Sequence, residues 1–371
     1  MRILSESDVK RCLPVSAAIA ANRKALASLR ANEDGGACVP TRIGLQYANK
    51  ENSSSSSSSA PADWSLFKPA AYYPQPNNNE NADDEILMGI KVVSPRAGNA
   101  KLNKPTCPAT IMLLDAETGE TSAVVAATYL TAARTAAGSA LATEMAYSSK
   151  SADGNNTLVV FGAGLQGELH IKAIQHLVNV TKVVIVNRSK ERAEKLKETL
   201  LSITQIEQES KTRVPITDIS IVLLSDTKAV KEVVELADII VTATNTTEPL
   251  FCGEWPKPGC HINGVGSYTP LMKEIDDALV TRCEVLIDTK EAMDVGDLSS
   301  LRNTDDGKTT QKNFGLIGDA LVGNVEFGKH RNSQLDCTMF KSVGTAIQDV
   351  VTAQHVYEYA RKKDIGTTFE M

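Results

Sequence analysis

The sequence lacks the features that mark several large classes of protein. Its 371 residues include 39 Lys and Arg against 45 Asp and Glu, a formal net charge of -6 at pH 7. Because there is no basic excess, the composition disfavours binding to nucleic acid or to an anionic membrane surface. No apolar run approaches the roughly 18 residues that a membrane span needs, and Met1–Glu6 has no continuous apolar stretch typical of a signal peptide. We therefore expect a cytoplasmic protein that binds neither nucleic acid nor membrane.

Cysteine and histidine are few and scattered. The seven cysteines are odd in number and form no C-x-x-C pair, which argues against both a disulfide framework and a zinc site. The five histidines form no H-E-x-x-H and no other recognisable ligand spacing. We expect a reducing compartment and no bound metal.

What the sequence does contain indicates two domains. A chain of 371 residues with 42% hydrophobic residues is too long for one small core. Residues 1–133 together with 336–371 are predicted to form an α+β domain with an antiparallel sheet, because turn residues separate its strand-like runs. Its predicted elements are a helix over 15–29, strands over 86–93, 109–114 and 122–127, and a final helix over 343–362.

A low-complexity segment interrupts this domain at about residues 49–85. It contains seven consecutive serines, Ser53–Ser59, and the asparagine tract Asn77–Asn79, neither of which can form a core. The more apolar stretch Trp64–Ala70 is expected to be ordered between them. We predict a loop insertion that bulges from the domain.

Residues 134–335 alternate strand and helix patterns, which predicts a parallel sheet in a Rossmann dinucleotide-binding domain and places the whole chain in the α/β class. Gly162–Gly167 is a complete G-x-G-x-x-G between the apolar run 158–161 and a predicted helix. Its glycines permit a tight turn, close approach of a pyrophosphate and close helix packing, while the helix N-terminus attracts the anion. The predicted cofactor contacts in this loop are Gly162, Ala163, Gly164, Leu165 and Gln166.

The end of the next predicted strand bears on which dinucleotide binds. An acidic residue there usually holds the ribose 2'-hydroxyl of NAD, whereas this strand ends in Asn187, Arg188, Ser189 and Lys190. Arg188 can instead meet a 2'-phosphate, with its neighbours assisting. We take Asn187, Arg188 and Ser189 as cofactor contacts and prefer NADP(H) to NAD(H). The alternative is that Arg188 is a solvated surface arginine.

Six motifs spread along the chain carry a resemblance to a known family. They are Pro40–Arg42, Lys91–Ser94, Leu130–Ala137, Gly162–Gly167, His261–Ser267 and Lys341–Gly344. In this order they resemble the ornithine cyclodeaminase/mu-crystallin family, which includes ketimine reductases and some alanine dehydrogenases. The resemblance implies an NAD(P)-dependent enzyme, a small imino or amino acid as substrate, and a homodimer formed through the first domain, which also binds the substrate.

The resemblance places three cations, Arg42, Lys91 and Arg134, against the substrate carboxylate, and we take these as the catalytic residues. Arg134 lies in the opening turn of a helix predicted over 131–149, whose free N–H groups also favour an anion. Lys91 is further expected to donate a proton or a hydrogen bond to the reacting nitrogen. Lys68, where relatives often carry Met, either adds a cation to the substrate site or extends to solvent.

Further cofactor contacts follow from the resemblance, each with simple packing as its alternative. They are Thr242, Ala243, Thr244, Val265, Gly266, Ser267, Ser342 and Gly344. Glu274 and Asp276 are interpreted as helix caps or structural hydrogen-bond acceptors.

One departure from the family bears on the reaction. Ornithine cyclodeaminases carry an aspartate that acts on the substrate's side-chain amine, and this sequence has Tyr268 there, whose phenol is a poor base at neutral pH. We therefore expect NADPH-dependent reduction of a small cyclic ketimine carboxylate, of the piperideine- or pyrroline-2-carboxylate type, to the cyclic amino acid. The alternatives are an ornithine cyclodeaminase, an amino-acid dehydrogenase, or a weakly catalytic NADPH-binding protein.

Overall fold

The computed structural model describes residues 1–30, 36–46, 64–74, 85–147, 155–207, 215–299, 314–329 and 335–370. The chain divides into two compact units. The first comprises Met1–Ser28, Asn32–Arg134 and Thr345–Met371, and the second comprises Leu29–Ala31 and Thr135–Gly344. The serine run and the asparagine tract of the predicted insertion lie outside the described residues.

The elements follow the two units along the chain. The first unit opens with β1 (Arg2–Leu4), α1 (Glu6–Cys12), α2 (Val15–Ala27), β2 (Ala37–Cys38), β3 (Ile43–Gln46), β4 (Trp64–Tyr72), β5 (Leu87–Val93), β6 (Ala109–Leu114), β7 (Thr121–Ala126) and α3 (Thr128–Tyr147), which ends in the second unit. The second unit continues with β8 (Asn156–Phe161), α4 (Leu165–Leu177), β9 (Val180–Asn187), α5 (Lys190–Glu207), β10 (Asp218–Leu223), α6 (Thr227–Leu236), β11 (Ile239–Thr242), β12 (His261–Gly264), α7 (Asp277–Thr281), β13 (Cys283–Ile287), α8 (Gly296–Ser299), β14 (Phe314–Leu316), α9 (Ile317–Leu321) and β15 (Cys337–Lys341). The chain returns to the first unit with α10 (Ala346–Lys362) and β16 (Thr367–Thr368).

The strands of the first unit form one sheet in the order β16-β1-β7-β6-β5-β4-β2, with β3 paired to β4. Strands β2 to β7 pair antiparallel, as predicted for this domain. Strand β5 alternates with period two, and its buried positions are Leu87, Gly89, Lys91 and Val93. Helix α10 packs on this sheet and α2 packs on α10. A side chain at position 89 would lie 2.7 Å from the Met112 carbonyl oxygen, which explains the glycine there.

Strand β4 corrects one prediction. The sequence places Trp64–Ala70 as an ordered stretch inside a loop insertion at 49–85, whereas the structure makes Trp64–Tyr72 a strand of the sheet, paired with β5 from Leu66 to Tyr72. Pro69 lies within it, and because proline cannot donate to a strand ladder, the sequence pattern argued against an interior strand. The correction matters for function because β4 carries Lys68.

The second unit contains a parallel sheet in the order β10-β9-β8-β11-β12-β15-β13-β14. Its central strand β11 is buried throughout, as expected where both faces of a parallel sheet are covered. The chain runs outward from β8 through β9 to β10 and then crosses to β11 on the other side of β8. Ligands of such folds bind at the carboxyl ends of the strands beside this switch point. The predicted Rossmann-type α/β fold is confirmed.

Strand β15 shifts the predicted domain boundary. The sequence assigns 134–335 to the Rossmann domain and 336–371 to the first domain. The structure pairs β15 with β12 and β13 in the second sheet, so the chain returns to the first unit only at Thr345. The other boundary moves by one residue, and Arg134 belongs to the first unit.

Candidate active site

Three cations of the first unit converge on one carboxylate. Lys91 occupies a buried position of β5, and Lys68 is its cross-strand partner on β4. Arg134 lies on α3 and Asp349 lies on α10. The Nζ of Lys91 lies 2.6 Å from Oδ2 of Asp349, and the Nζ of Lys68 lies 4.0 Å from the same oxygen. The Nε of Arg134 donates to Oδ1 of Asp349 at 2.8 Å. These four residues are called the cation cluster below.

The cation cluster is almost fully withdrawn from solvent. The exposed fraction is 6% for Lys68, 1% for Lys91, 4% for Arg134 and 0% for Asp349. Buried charges cost several kcal/mol each unless they are paired, and one carboxylate neutralises only one of the three cations. With all four groups ionised the cluster carries two net positive charges, which favours the entry of a further anion.

Burial and neighbouring charge shift two pKa values of the cluster. Burial raises the pKa of Asp349, but Arg134, Lys91 and Lys68 together outweigh it and hold that pKa at about 2. Burial lowers the pKa of Lys91 well below the usual lysine value; Asp349 opposes this shift, while Arg134 and Lys68 add to it. Lys91 is therefore a lysine whose charge depends on the carboxylate beside it.

A polar network holds the start of α10, and with it Asp349, in place. The Nε2 of Gln348 donates to Oδ1 of Asn22 at 2.9 Å, and the Oε1 of Gln348 accepts the N–H of Thr345 at 3.1 Å. Asn22 in turn donates to the Ala18 carbonyl at 2.8 Å. Sequence reasoning missed Asp349 and Gln348. The available signal was two adjacent polar residues inside an otherwise apolar stretch at the start of α10.

Two predictions about the cations have different outcomes: the structure does not test whether Arg42 binds substrate, and it corrects the position of Arg134 in its helix. Arg42 immediately precedes β3 and is half-buried, and among the described residues it forms no hydrogen bond or ion pair with the cation cluster. The register of β3 on β4, with Ile43 opposite Phe67, still places Arg42 beside the part of β4 that carries Lys68. Arg134 is not in an opening turn: α3 begins at Thr128, so Arg134 lies in the second turn, past the free N–H groups of the helix.

The glycine loop of the second unit fits a dinucleotide pyrophosphate. Gly162 follows β8 with φ 112°, and a Cβ there would lie 2.6 Å from the Ala243 carbonyl oxygen. A Cβ on Gly167 would overlap the Gly162 carbonyl oxygen. Gly164 is different, because a Cβ there would meet no protein atom within 4 Å, and it is the N-cap of α4 without a side-chain cap. Open space thus lies in front of helix N–H groups that have no side-chain partner, as anion binding requires.

The end of β9 is tied to this loop. The Oδ1 of Asn187 accepts the N–H of Ala163 at 3.2 Å, and its Nδ2 donates to the Ser189 carbonyl at 2.8 Å. Arg188 is exposed and forms no ion pair within the part of the chain that the structure describes. Ser189 accepts the N–H of Arg192 at the start of α5, and Lys190 pairs with Glu194 at 3.7 Å. Leu165 and Gln166, also predicted as contacts, form the first turn of α4.

Glu274 gathers four of the other predicted cofactor contacts. This buried carboxylate accepts the hydroxyl of Thr242, the N–H and hydroxyl of Thr244, and the N–H groups of Gly266 and Ser267, all at 2.6 to 3.2 Å. Burial raises the pKa of Glu274, and Lys341 and the bonds from Thr244 oppose the shift. The carboxylate therefore fixes the loops that follow β11 and β12, the structural role expected of it. Ala243 and Val265 bond to Phe161 and Thr242 through their N–H groups.

Asp288 organises the remaining predicted contacts. Its Oδ2 accepts the hydroxyl of Ser342 at 2.8 Å and the N–H groups of Val343 and Gly344 at 3.0 and 2.6 Å. Gly344 has φ 75°, a conformation that favours glycine. Asp276 caps α7 by accepting the Leu279 N–H at 2.9 Å. The capping role of Asp276 agrees with the prediction, whereas Asp288 was not predicted to hold the turn after β15, since the sequence does not show which sheet β15 joins.

Two negative findings apply to the described residues. No group of three or more His, Cys, Asp or Glu side chains there is arranged to hold a metal ion. No helix among them is long and apolar enough to cross a membrane.

Comparison with known proteins places these features in a family. Residues 78–364, more than half of the chain, match the model of the ornithine cyclodeaminase/mu-crystallin family. An uncharacterized cyclodeaminase of Dictyostelium discoideum is 35% identical over 294 residues, covering 75% of this chain and 77% of that protein. The ketimine reductase mu-crystallin of Mus musculus is 31% identical over 275 residues, covering 74% and 76%.

A solved structure extends the similarity over the whole chain. The Δ1-pyrroline-2-carboxylate reductase of Thermococcus litoralis, in complex with NADH and L-proline, is 26% identical with a TM-score of 0.78, and all of both chains is covered. The predicted resemblance is confirmed: this chain belongs to the ornithine cyclodeaminase/mu-crystallin family.

Proposed function

We propose that this protein uses NADPH to reduce a small cyclic ketimine carboxylate, of the pyrroline- or piperideine-2-carboxylate type, to the cyclic amino acid. The observation that carries the proposal is the buried cation cluster, whose two net positive charges suit one substrate carboxylate. The relatives support the substrate class, since the mouse protein is named a ketimine reductase and the Thermococcus protein a pyrroline-2-carboxylate reductase.

The chain's own residues supply recognition and polarity. The Nε of Arg134 donates to Asp349 at 2.8 Å and the Nη1 of Arg134 donates to Oε1 of Gln348 at 3.4 Å. The Nη2 of Arg134 has no partner among the described residues and can donate to a substrate carboxylate. Lys91 contacts Asp349 and lies 3.5 Å from the Thr131 hydroxyl, and its ammonium has a third proton for the ring nitrogen. A bound reduced nicotinamide supplies hydride to the carbon of the C=N bond. Holding the adjacent carboxylate fixes that carbon, and a protonated imine needs no strong base.

The preference for NADPH rests on the end of β9. Asn187 stands where an acid would hold a ribose hydroxyl, and its side chain is already engaged with the glycine loop. Arg188 is exposed at the adjacent position. A guanidinium can pair with a 2'-phosphate through charge-assisted hydrogen bonds, whereas NAD offers it only hydroxyls.

A homodimer through the first unit is supported by one face of its sheet. The positions of β4 to β7 that alternate with the buried ones form an apolar surface, half-buried or exposed: Phe67, Pro69, Met88, Ile90, Val92, Met112 and Val124. A contiguous exposed apolar face of this kind marks an interaction surface. A second copy of the chain can cover it with the same face, as in a twofold dimer.

A second candidate function is ornithine cyclodeamination. It is favoured by the Dictyostelium relative, which is named a cyclodeaminase and is 35% identical. The residue after Ser267 disfavours cyclodeamination, because Tyr268 cannot offer a carboxylate to a side-chain ammonium group.

Steady-state kinetics on the purified protein separates the two candidates. We expect NADPH oxidation with pyrroline-2-carboxylate or piperideine-2-carboxylate, slower oxidation of NADH, and no ammonia from L-ornithine. Lys91→Met, similar in length but uncharged, should lower kcat/KM by roughly 10²- to 10⁴-fold, as expected for loss of a proton donor. NADPH binding by this variant, followed by nicotinamide fluorescence, should be retained. Ammonia release without NADPH oxidation would reverse the assignment.

A further inference from the structure

Asp349 has a place in the cation cluster that neither the sequence motifs nor the relatives account for. Among the described residues it is the carboxylate that pairs with both Lys91 and Arg134, at 2.6 and 2.8 Å. It lies on α10, 215 residues from Arg134, and is fully buried. Lys68, at 4.0 Å, is the third cation around it.

The pairing divides the donors of the two cations. Arg134 donates its Nε to Asp349 and its Nη1 to Gln348, which fixes the plane of the guanidinium and leaves Nη2 for another acceptor. Lys91 forms an ion pair with Asp349 at 2.6 Å and donates to the Thr131 hydroxyl at 3.5 Å, which leaves one N–H of its ammonium for the substrate. A substrate carboxylate therefore does not have to displace Asp349 to be bound.

We propose that Asp349 is a positioning residue for the reduction, which keeps Lys91 charged and in place and orients Arg134, so that both present donors to the substrate. This inference rests on the proposed function and deepens it, because it explains how a cluster of buried cations stays ready for an anionic substrate.

The physical argument begins with Lys91. Its neighbours from every packed element are Asp349 on α10, Arg134 on α3, Lys68 on β4 and Cys107 in the loop before β6. Burial and two of these neighbours favour the neutral amine, and burial raises the pKa of the Cys107 thiol, so that group is neutral at ordinary pH. Asp349 alone among them favours the ammonium form.

Removal of the Asp349 charge therefore has a defined consequence. The pKa of Lys91 should fall further, because the one opposing interaction is lost. A neutral lysine neither attracts a carboxylate nor donates a proton readily to the ring nitrogen. If Asp349 only stabilised the position of α10, its substitution would leave the pKa of Lys91 unchanged.

The test is the pH dependence of kcat/KM for pyrroline-2-carboxylate in the wild type and in Asp349→Asn, which is isosteric. We expect the alkaline limb to move to lower pH by about 1 to 3 units, the usual effect of losing an opposite charge at this distance. The imine of the substrate also titrates, but identically with both proteins, so the difference between the profiles belongs to the cluster. A uniform fall in kcat at every pH with an unmoved limb would overturn the proposal.

Asp349→Asn leaves three buried cations without a carboxylate and could therefore fail to fold. A second pair of variants tests the proposal without this imbalance of charge. In Asp349→Asn/Lys68→Met one negative and one positive charge are removed together, so the net charge of the cluster is that of the wild type. Compared with Lys68→Met alone, this charge-balanced variant should show the same movement of the alkaline limb. Equal profiles for the two would contradict the proposal.

A binding measurement makes the outcome independent of turnover. Pyrrole-2-carboxylate is a planar ring carboxylate with no imine to reduce, and its affinity for the protein with NADP⁺ bound can be measured by calorimetry from pH 6 to 10. Its binding should weaken at lower pH in Asp349→Asn than in the wild type. If the wild type reduces no ketimine, the proposed function fails, yet this titration still decides whether Asp349 holds the charge of Lys91.

Asp336→Asn is the matched control. Asp336 accepts two hydrogen bonds from Arg282, at 3.1 and 3.0 Å, in the second unit and outside the proposed site. Its removal likewise leaves an arginine without its carboxylate. The alkaline limb of this variant should coincide with that of the wild type, and a shift equal to that of Asp349→Asn would show that the effect is not specific to the cluster.

Discussion

The proposed preference for NADPH depends on one exposed side chain, Arg188. Because it has no ion-pair partner among the described residues, its guanidinium is available to a 2'-phosphate without first breaking another contact. Arg188→Ala should raise the KM for NADPH roughly 10- to 100-fold, since hydrogen bonds to charged groups contribute about 1.5–3 kcal/mol. The KM for NADH should stay nearly constant, and steady-state assays with both cofactors measure the ratio.

The control for this prediction is Lys195→Ala on the adjacent helix α5. Lys195 is exposed and has the same charge, so its loss reports the general effect of removing one cation from this surface. Equal effects of Arg188→Ala and Lys195→Ala on NADPH, or equal effects of Arg188→Ala on NADPH and NADH, would mean that Arg188 does not contact the phosphate.

Asp349 also predicts how folding stability depends on pH. Its pKa is about 2 in the folded protein, below the roughly 3.9 of a free aspartate, so the unfolded chain binds the proton more tightly. The stabilisation is therefore complete above about pH 4 and is lost as the pH falls through 2, with a size on the order of 2 kcal/mol. Urea unfolding of the wild type between pH 5 and 2 should show this loss, and Lys68→Met, which lacks one of the three cations that lower the pKa, should show a smaller one.

The same series on the charge-balanced variant Asp349→Asn/Lys68→Met isolates the contribution of Asp349, since every other carboxylate is shared. The free energy of unfolding of this variant should fall less over the same pH range. Parallel curves would show that Asp349 has no depressed pKa in the fold.

The residues of the cluster differ in how far the sequence could reveal them. Lys91 and Arg134 lie in short motifs that resemble those of the family, and that resemblance selected them. Asp349 lies in a helix, where an aspartate ordinarily faces solvent, and only the packing of α10 on the sheet brings it to Arg134, 215 residues away. Arg42 was selected on the same basis as the other two cations. The register of β3 on β4 places it beside Lys68, yet among the described residues it forms no ion pair with Asp349.

Among the elements, the loop between β8 and α4 gives the sharpest test of cofactor binding. Gly164→Ala adds a methyl group that meets no protein atom, so the melting temperature should be unchanged. The methyl would occupy the space through which the pyrophosphate approaches the helix N-terminus, and NADPH affinity should fall at least tenfold, about 1.4 kcal/mol. Fluorescence titration and thermal unfolding measure the two effects separately.

Gly98→Ala serves as the control for Gly164→Ala, because a Cβ at Gly98 also meets nothing within 4 Å but lies in the first unit. It should change neither stability nor NADPH affinity. If Gly164→Ala binds NADPH as tightly as the wild type, the pyrophosphate does not bind at this loop.

The elements themselves were predictable to the extent that their patterns are local. The antiparallel runs β5 to β7 and the strand, loop and helix around Gly162 were readable because alternation and glycine spacing act over a few residues. Strand β4 was obscured by Pro69 and by the polar tracts beside it. Strand β15 has an ordinary apolar pattern, but its membership of the second sheet depends on partners at 261–264 and 283–287, which no local pattern specifies.

At the scale of the whole molecule, the charge of the buried cluster is opposite in sign to the net charge of the chain. The net charge of -6 disfavours polyanion binding, yet the cation cluster, with all four groups ionised, concentrates two net positive charges inside the first unit. Because composition averages over the surface, it could not show this. A buried cationic site favours a small anion that can enter it over a large polyanion that cannot.

Self-association of the first unit is the prediction that belongs to the whole molecule. Met112 lies within the apolar face of the sheet and is 40% exposed, so Met112→Lys adds a charge there while leaving the buried face untouched. A twofold interface places the same substitution on both copies, which doubles the cost of burying the charge. Light scattering after size exclusion should give a dimer for the wild type and a monomer for Met112→Lys. Leu271→Lys, at an equally apolar but isolated position that is 76% exposed, should remain dimeric. A monomeric wild type at micromolar concentration, or a Met112→Lys dimer, would mean that this face is not where two copies meet.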